Sequence, residues 1–165
     1  SFPGASIYPI YTIDLASIGA PVVAGEEEFI NGVQNSLSQI LDSSMTSYAQ
    51  GELTVTNELE YGYITYDFGR VIRLLEVESK FHENNQSVSV SCQLERSLDG
   101  ENWTNVLSAP GHSSWGWNSD WEIPKAKLPR TAARYLRYKM QAQSRDNNRR
   151  TASCYFWDLQ LKVTP

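Results

Sequence analysis

An alternating segment followed by a turn constrains the fold more than any other feature of the chain. Apolar residues occupy every second position from Val88 to Leu94, and polar residues fill the positions between them. A period of two predicts a β-strand with one buried face. Asp99-Gly100 then supplies residues that tolerate the positive φ of a tight hairpin, and Trp103 follows where its ring folds back over the sheet edge. The segment predicts two antiparallel strands joined by a short turn.

Similar runs of β-branched and aromatic residues continue through the rest of the chain from Leu53 onward. Gly, Asn, Pro and Ser clusters separate them, and no helical pattern lies between them. The predicted strands span residues 52–57, 61–68, 71–81, 87–97, 103–107, 134–143 and 152–163. Regular strands without intervening helices predict an all-β fold, an antiparallel sandwich or barrel.

The first 51 residues follow a different pattern. Residues 7–15 form an apolar run broken by Pro9, which predicts an edge strand because proline cannot donate to a central ladder. Apolar residues at helical spacing then predict one amphipathic helix over residues 27–43. We expect residues 1–51 to form a strand and helix extension, either part of the same domain or a separate attachment segment, and residues 52–165 to form the main sandwich.

Length and charge narrow the classes of protein that the chain can belong to. A single domain of 165 residues buries enough surface to fold without metals or disulfides. No apolar run reaches the ~18 residues of a membrane-spanning helix. All 14 lysines and arginines lie at or after Arg70, but the net charge of −5 argues against nucleic acid, which rewards a strongly basic surface.

The two cysteines, Cys92 and Cys154, leave one alternative open. Cys92 falls on the apolar side of its strand, where a thiol behaves as a small hydrophobic side chain. We favour two buried or partly buried thiols, and a single disulfide is the alternative. Two cysteines are too few for a thiolate metal site.

Four segments, taken in order, resemble the motifs of one family. Residues 66–71 (YDFGRV), 97–103 (SLDGENW), 133–137 (ARYLR) and the closing strand 157–163 are similar to those of discoidin, or coagulation factor 5/8 type C, modules of the galactose-binding-domain-like superfamily. The resemblance implies a jelly-roll-like β-sandwich that binds a ligand through its loops, and a structural calcium ion in many members. The terminal cysteines that bridge many such modules are absent here, since both cysteines lie inside predicted strands.

These motifs also have a purely structural interpretation. Trp103 is expected to close the hairpin by packing, and Asp99-Gly100 is turn chemistry with no ligand role. Arg134 is expected to form a structural ion pair or a carbonyl contact, with Asp67 as the suggested partner. The motifs therefore identify a scaffold, and the ligand site has to be sought in the loops.

The richest candidate loop spans residues 111–121, read GHSSWGWNSDW. Flat indole rings suit the C–H face of a sugar ring, and short polar side chains suit its hydroxyl groups. The alternative is burial, because the three tryptophans share one parity and a strand would place them all on one face. The candidate ligand-binding residues of this loop are His112, Trp115, Trp117, Asn118 and Trp121.

A second candidate is the arginine-rich segment 144–151, interpreted as a hairpin tip. Arg145 and Arg149 are its candidate binding residues, because guanidinium groups suit carboxylates, sulfates or phosphates. The alternative is an ordinary solvated loop. His82 is the last candidate, expected at the same end of the sandwich.

Catalytic constellations are not evident in the sequence. His82 and His112 are the only histidines, and no zinc spacing, nucleophile elbow or phosphate-binding glycine loop is present. We expect no enzyme activity, and no cofactor beyond that implied calcium ion. The leading hypothesis is a non-catalytic module that binds a glycan or another cell-surface ligand, within a larger extracellular or virion protein. The alternative is an assembly module, for example of a viral tail or fibre, that contacts neighbouring domains or forms a homo-oligomer.

Overall fold

The computed structural model of the protein describes residues 11–14, 49–78, 81–83, 87–112, 125–156 and 160–164. These residues form nine β-strands, which confirms the predicted all-β class. The predicted helix over residues 27–43 lies outside the described residues. The strands are β1 Tyr11–Asp14, β2 Ala49–Val55, β3 Glu60–Glu78, β4 Phe81–Glu83, β5 Val88–Ser97, β6 Thr104–His112, β7 Lys125–Ser144, β8 Arg150–Phe156 and β9 Gln160–Thr164.

The strands form two antiparallel sheets of unequal size that make a sandwich. The larger sheet has the order β1-β9-β3-β7-β5-β6, and the smaller has the order β2-β8-β4. β1 lies at an edge, as predicted for the segment that contains it, and pairs with β9. Of the described strands, only β5 and β6 are both consecutive in the chain and hydrogen-bonded to each other. Their pairing confirms the predicted hairpin around Asp99-Gly100.

The core lies between the two sheets and follows the alternation of the strands. Inward side chains of the large sheet are almost wholly buried, and they meet buried side chains of β2 and β8. Tyr66 and Tyr138 meet in this layer edge to face, with ring centres 6.1 Å apart. Cys92 is fully buried there, whereas the side chain of Cys154 lies outside the described part. The pairing of the two cysteines therefore stays a prediction.

β3 is one long strand where the sequence predicted two. The predicted strands 61–68 and 71–81 are joined through a bulge, where the register with β7 shifts between Asp67 and Ile72. Gly69 adopts a φ of +71°, and its N–H donates to the Asp67 carboxylate at 2.8 Å. In the sequence, Gly69 predicts a break between two strands. In the structure it allows a bulge, and the strand continues in the same sheet after it.

The end of the chain differs from the prediction in the opposite way. Residues 152–163 were predicted as one strand, but β8 belongs to the small sheet and β9 to the large one. The predicted hairpin at residues 144–151 is also wrong, because β7 and β8 lie in different sheets and β8 pairs with β2 and β4. Alternating apolar and polar residues show only that one face of a strand is buried. Strands of both sheets bury one face, so the sequence pattern does not reveal where the chain passes from one sheet to the other.

Candidate functional site

One end of the sandwich, here called the loop end, collects several of the predicted site residues. β6 finishes at His112, which is paired with Val90, and Val90 is paired in turn with Ala142 near the end of β7. Ser144 then begins the connection that contains Arg145 and Arg149. The structure therefore brings the backbone of His112 to the same end as these two arginines.

The other predicted residues are placed in part. His82 lies in β4, paired with Tyr155 of the small sheet, and β4 leads toward Ser87, which is at the loop end. Only the backbones of His82 and His112 belong to the described part, so their side-chain roles stay predictions. Trp115, Trp117, Asn118 and Trp121 lie outside the described residues, and their exposure stays a prediction as well.

The connection at residues 144–150, here called the inter-sheet turn, is held by one aspartate. The Ser144 hydroxyl donates to the Asp146 carboxylate at 2.8 Å, and the Asn148 N–H donates to the same carboxylate at 3.1 Å. Asn147 takes a positive φ of 62°, which asparagine tolerates better than most residues. These local bonds shape the turn without using any residue of the core.

Charge is distributed unequally among the three arginines of this turn. Arg150 forms an ion pair with Asp146, and this contact is the main reason that the pKa of Asp146 lies well below its ordinary value. The backbone N–H of Arg145 donates to the backbone carbonyl of Ser87 at 2.9 Å, and this bond connects the turn to the residue before β5. Arg149 is exposed. The turn therefore presents the Arg149 cation to solvent at the loop end.

The family-like motifs meet far from the loop end, around Tyr135. In the sheet, Tyr135 is paired with Asp67 on one side and with Ser97 on the other. The Arg134 Nε donates to the Asp67 carboxylate at 3.1 Å, which confirms the predicted ion pair. Hydrogen bonding from Arg134 is the main cause of the lowered pKa of Asp67. The first three motifs thus converge on one structural junction.

The hairpin turn at residues 97–103 is part of this junction. Asp99 accepts hydrogen bonds from the backbone N–H groups of Glu101 and Asn102, both at 2.8 Å. The pKa of Asp99 lies far below its ordinary value. Hydrogen bonds from Asn102 are the largest cause, and those from Glu101 and Ser97 add to it. The Trp103 ring packs edge to face on Tyr135, with ring centres 6.5 Å apart. Trp103 is therefore a packing residue of the hairpin, as expected.

A further cluster lies on the outward surface of β3, β7 and β5, here called the outer face. The Arg137 guanidinium lies 4.1 Å from the centre of the Trp103 ring and 4.5 Å from that of Tyr63. It also donates to the Glu95 carboxylate at 2.8 Å. The sequence-based predictions place ligand contacts in loops, and this surface is not among them. The signal was present, because tyrosines and basic residues occupy the outward positions of two predicted strands.

Neither a metal-ligating cluster nor a membrane-spanning helix occurs among the described residues. Within these ranges, no three His, Cys, Asp or Glu side chains stand close enough to hold a metal ion. The calcium ion implied by the family resemblance stays a prediction. Those residues contain no helix long and apolar enough to cross a membrane.

The architecture is similar to that of modules in solved structures of carbohydrate-active proteins. A variant of chitosan-binding module 1, derived from a chitosanase/glucanase of a Paenibacillus species, covers 92% of this chain and 99% of its own, with a TM-score of 0.53 and 17% identity. The module CBM32-3 of a family 31 glycoside hydrolase from Clostridium perfringens covers 92% and 94%, with a TM-score of 0.53 and 16% identity. The chain has the galactose-binding-domain-like fold.

The same fold also occurs as a small part of a large enzyme. A family 89 glycoside hydrolase from Clostridium perfringens matches 88% of this chain but only 14% of its own length, with a TM-score of 0.50 and 17% identity. At the level of sequence, neither a protein-family model nor a curated protein matches the chain. The galactose-binding-domain-like architecture is thus retained over most of the chain with little sequence in common.

Proposed function

We propose that this chain is a non-catalytic carbohydrate-binding module whose ligand site is the loop end. The observation that carries the proposal is the fold shared with the chitosan-binding module over 92% of this chain and 99% of that one. Fold alone does not fix a ligand. The loop end adds the chemistry, since His112 and the inter-sheet turn lie there.

The loop of residues 111–121 supplies the expected sugar contacts. Its indole rings would stack on a pyranose ring, while Asn118 and His112 would bond to sugar hydroxyl groups. Glycan recognition by protein modules depends on such pairs of a flat apolar surface and a few polar groups. We infer that Trp117 makes the central stacking contact.

The charge at the loop end favours some glycans over others. The Paenibacillus module is named for chitosan, which carries protonated amino groups. In this chain, the exposed Arg149 cation would repel such a ligand. We therefore propose a neutral or anionic glycan, encountered in an extracellular setting where polysaccharides are accessible.

A glycan array followed by titration calorimetry tests this function. Trp117→Ala is expected to weaken glycan binding at least tenfold and leave the thermal midpoint within about 2 °C, because a surface substitution changes stability by only about 0.5 kcal/mol. The matched control is Trp103→Ala, which should lower the midpoint and leave glycan affinity intact. A large loss of stability in Trp117→Ala, together with an array that shows no ligand, would refute the loop site.

The assembly alternative makes a different prediction. A module that docks neighbouring domains of a virion or surface protein would form a defined oligomer or complex and bind no glycan. Light scattering after size-exclusion chromatography separates the two, because a monomer that binds a glycan supports the proposed function. A stable oligomer with no glycan ligand supports the alternative.

A further inference from the structure

The outer face of the large sheet divides into two halves with different electrostatics. In the first half, the Arg137 cation is neutralised by Glu95, and the side chains of the pair are only 19% and 10% exposed. Trp103 and Tyr63 contact the same guanidinium. This half is internally satisfied, so it stabilises the sheet and offers little to a ligand.

The second half lies two residues along each strand, toward the loop end. Lys139 is paired laterally with Tyr63 of β3 and with Gln93 of β5, and Gln141 is paired with Tyr61 and Ser91. All of these side chains are partly exposed. Because paired residues of an antiparallel sheet project from the same side, aromatic rings, amides, a hydroxyl and an ammonium group share one surface.

Lys139 differs from Arg137 in having no counter-charge in the described structure. Its ammonium nitrogen lies 5.2 Å from the centre of the Tyr61 ring. The ion pairs formed among described residues involve Arg134, Arg137, Arg150 and Lys162, and they do not include Lys139. A partly exposed cation without a carboxylate partner among the described residues is available to an anionic ligand.

Polar groups of this half that have no hydrogen-bond partner in the described part of the chain also favour a ligand on this surface. The Ser91 hydroxyl oxygen is buried and has no hydrogen-bond partner among the described residues, so the polar groups open to a ligand are the neighbouring amides. Gln141 of β7 is paired with Ser91, and Gln93 lies two residues further along β5. Each amide carries both donors and acceptors. The three strands, at a spacing of about 4.8 Å, span roughly 10 Å, which is wide enough for one short oligosaccharide. The ring of Tyr61 provides its apolar contact.

We propose that this half of the outer face is a second binding surface, specific for an acidic polysaccharide with carboxylate-bearing sugar rings. Tyr61 stacks on a pyranose ring, Lys139 pairs with its carboxylate, and Gln93 and Gln141 bond to hydroxyl groups. The surface is distinct from the loop end and does not require it. Uncharged glycans lack the group that Lys139 recognises, so they bind here weakly.

The test compares oligogalacturonides and oligomannuronates with the same oligosaccharides after reduction of their carboxyl groups to alcohols. Calorimetry on the full chain should show binding of the acidic forms and weaker binding of the reduced forms. Lys139→Gln should weaken the acidic forms roughly tenfold, as expected for the loss of a charge-assisted hydrogen bond, and Tyr61→Ala should weaken them several-fold. Higher salt should reduce the affinity of the unmodified protein and have little effect on Lys139→Gln.

Lys127→Gln is the matched control, because Lys127 is an exposed lysine on the same strand, opposite Glu76. It removes the same charge at a distance and should leave the affinity unchanged. Equal losses in the two lysine variants would indicate non-specific attraction and overturn the proposal. An unchanged affinity in Lys139→Gln with a normal thermal midpoint would overturn it too.

Two further outcomes separate this surface from the loop end. If Trp117→Ala abolishes binding of the acidic forms and Lys139→Gln does not, the acidic site is the loop end and the outer face is excluded. If the unmodified protein binds only uncharged glycans, the outer-face proposal fails and the loop site stands. A homodimer that Tyr61→Ala dissociates would also overturn it, because the surface would then bind a second copy.

Discussion

The hairpin turn (97–103) and the inter-sheet turn (144–150) share one internal design. In each, a buried serine hydroxyl donates to an aspartate two residues later, at 2.9 Å from Ser97 and at 2.8 Å from Ser144. In each, the residue after the aspartate takes a positive φ, 79° at Gly100 and 62° at Asn147. The serine–x–aspartate spacing therefore specifies a turn in both places.

Their surroundings differ. The hairpin turn lies against the Tyr135 ring, and a methyl group placed on Gly100 would lie 3.6 Å from that ring. The inter-sheet turn has its cation Arg149 in solvent and is held mainly by its own Asp146. The same local hydrogen bonding thus belongs to a packed part of the scaffold in the hairpin turn and carries the exposed Arg149 charge in the inter-sheet turn. Turn motifs in this chain reveal geometry, and only the tertiary neighbours reveal role.

The largest expected effect distinguishes the two turns by their neighbours. Tyr135→Ala removes the ring that contacts Trp103, Arg134 and the hairpin turn, so we expect a loss of about 2–3 kcal/mol in the free energy of unfolding. Asn148→Ala, in the inter-sheet turn, should change it by no more than about 0.5 kcal/mol. Urea denaturation measures both. Equal losses would mean that the two turns are equally integrated into the fold.

A smaller effect concerns the residue of positive φ in each turn, Gly100 and Asn147. Gly100→Ala should cost about 1–2 kcal/mol, because a Cβ at that φ is strained. Gly69→Ala is the control, because Gly69 has a similar φ of 71° and nothing lies within 4 Å of an added Cβ. Its loss of stability should come from backbone strain alone, without any contact to a neighbouring ring. Asn147→Gly should leave the unfolding free energy unchanged or slightly raised. A loss of stability in Asn147→Gly would show that the Asn147 side chain makes a contact that the turn needs.

The smallest effect is a dependence on pH that both turns should share. The pKa values of Asp99 and Asp146 are lowered on folding, so both carboxylates stabilise the fold above the unfolded pKa of about 3.9. That contribution is lost as the pH falls toward the folded pKa. The stability differences between the wild type and Asp99→Asn or Asp146→Asn should therefore stay constant from pH 7 to about pH 5 and shrink as the pH falls below the unfolded pKa of about 3.9.

Salt provides the control for the pH series. Asp146 is paired with the Arg150 cation, whereas Asp99 is held by neutral N–H and hydroxyl donors. Added salt should therefore reduce the effect of Asp146→Asn more than that of Asp99→Asn. Differences that persist unchanged down to about pH 2 would show that neither carboxylate charge contributes to stability.

Much of the scaffold could be read from the sequence, because burial on one face of a strand leaves a period of two. The hairpin around Asp99-Gly100, the packing role of Trp103 and the ion pair between Arg134 and Asp67 are all confirmed. Strand limits were less predictable. Gly69 was interpreted as a break between strands, and only the resumed pairing of Ile72 with Ala133 shows that it is a bulge.

The functional surfaces were harder to predict for a physical reason. A position along the sequence does not say which strand becomes a lateral neighbour, and Lys139 meets Tyr63 and Gln93 only through pairings with distant strands. The change of sheet between β7 and β8 likewise depends on tertiary packing, since β8 pairs with β2. The roles assigned to His82, His112, Trp115, Trp117, Asn118 and Trp121 stay predictions.

The strand order has a consequence for how the chain folds. Apart from the hairpin of β5 and β6, the paired strands of the described residues come from distant parts of the chain, and the ion pair between Arg134 and Asp67 spans 67 residues. Closing such long loops costs entropy before any pairing is gained, so folding should take milliseconds to seconds. The hairpin turn is the natural nucleus, and in stopped-flow experiments Gly100→Ala should slow refolding while Asn147→Gly leaves it unchanged.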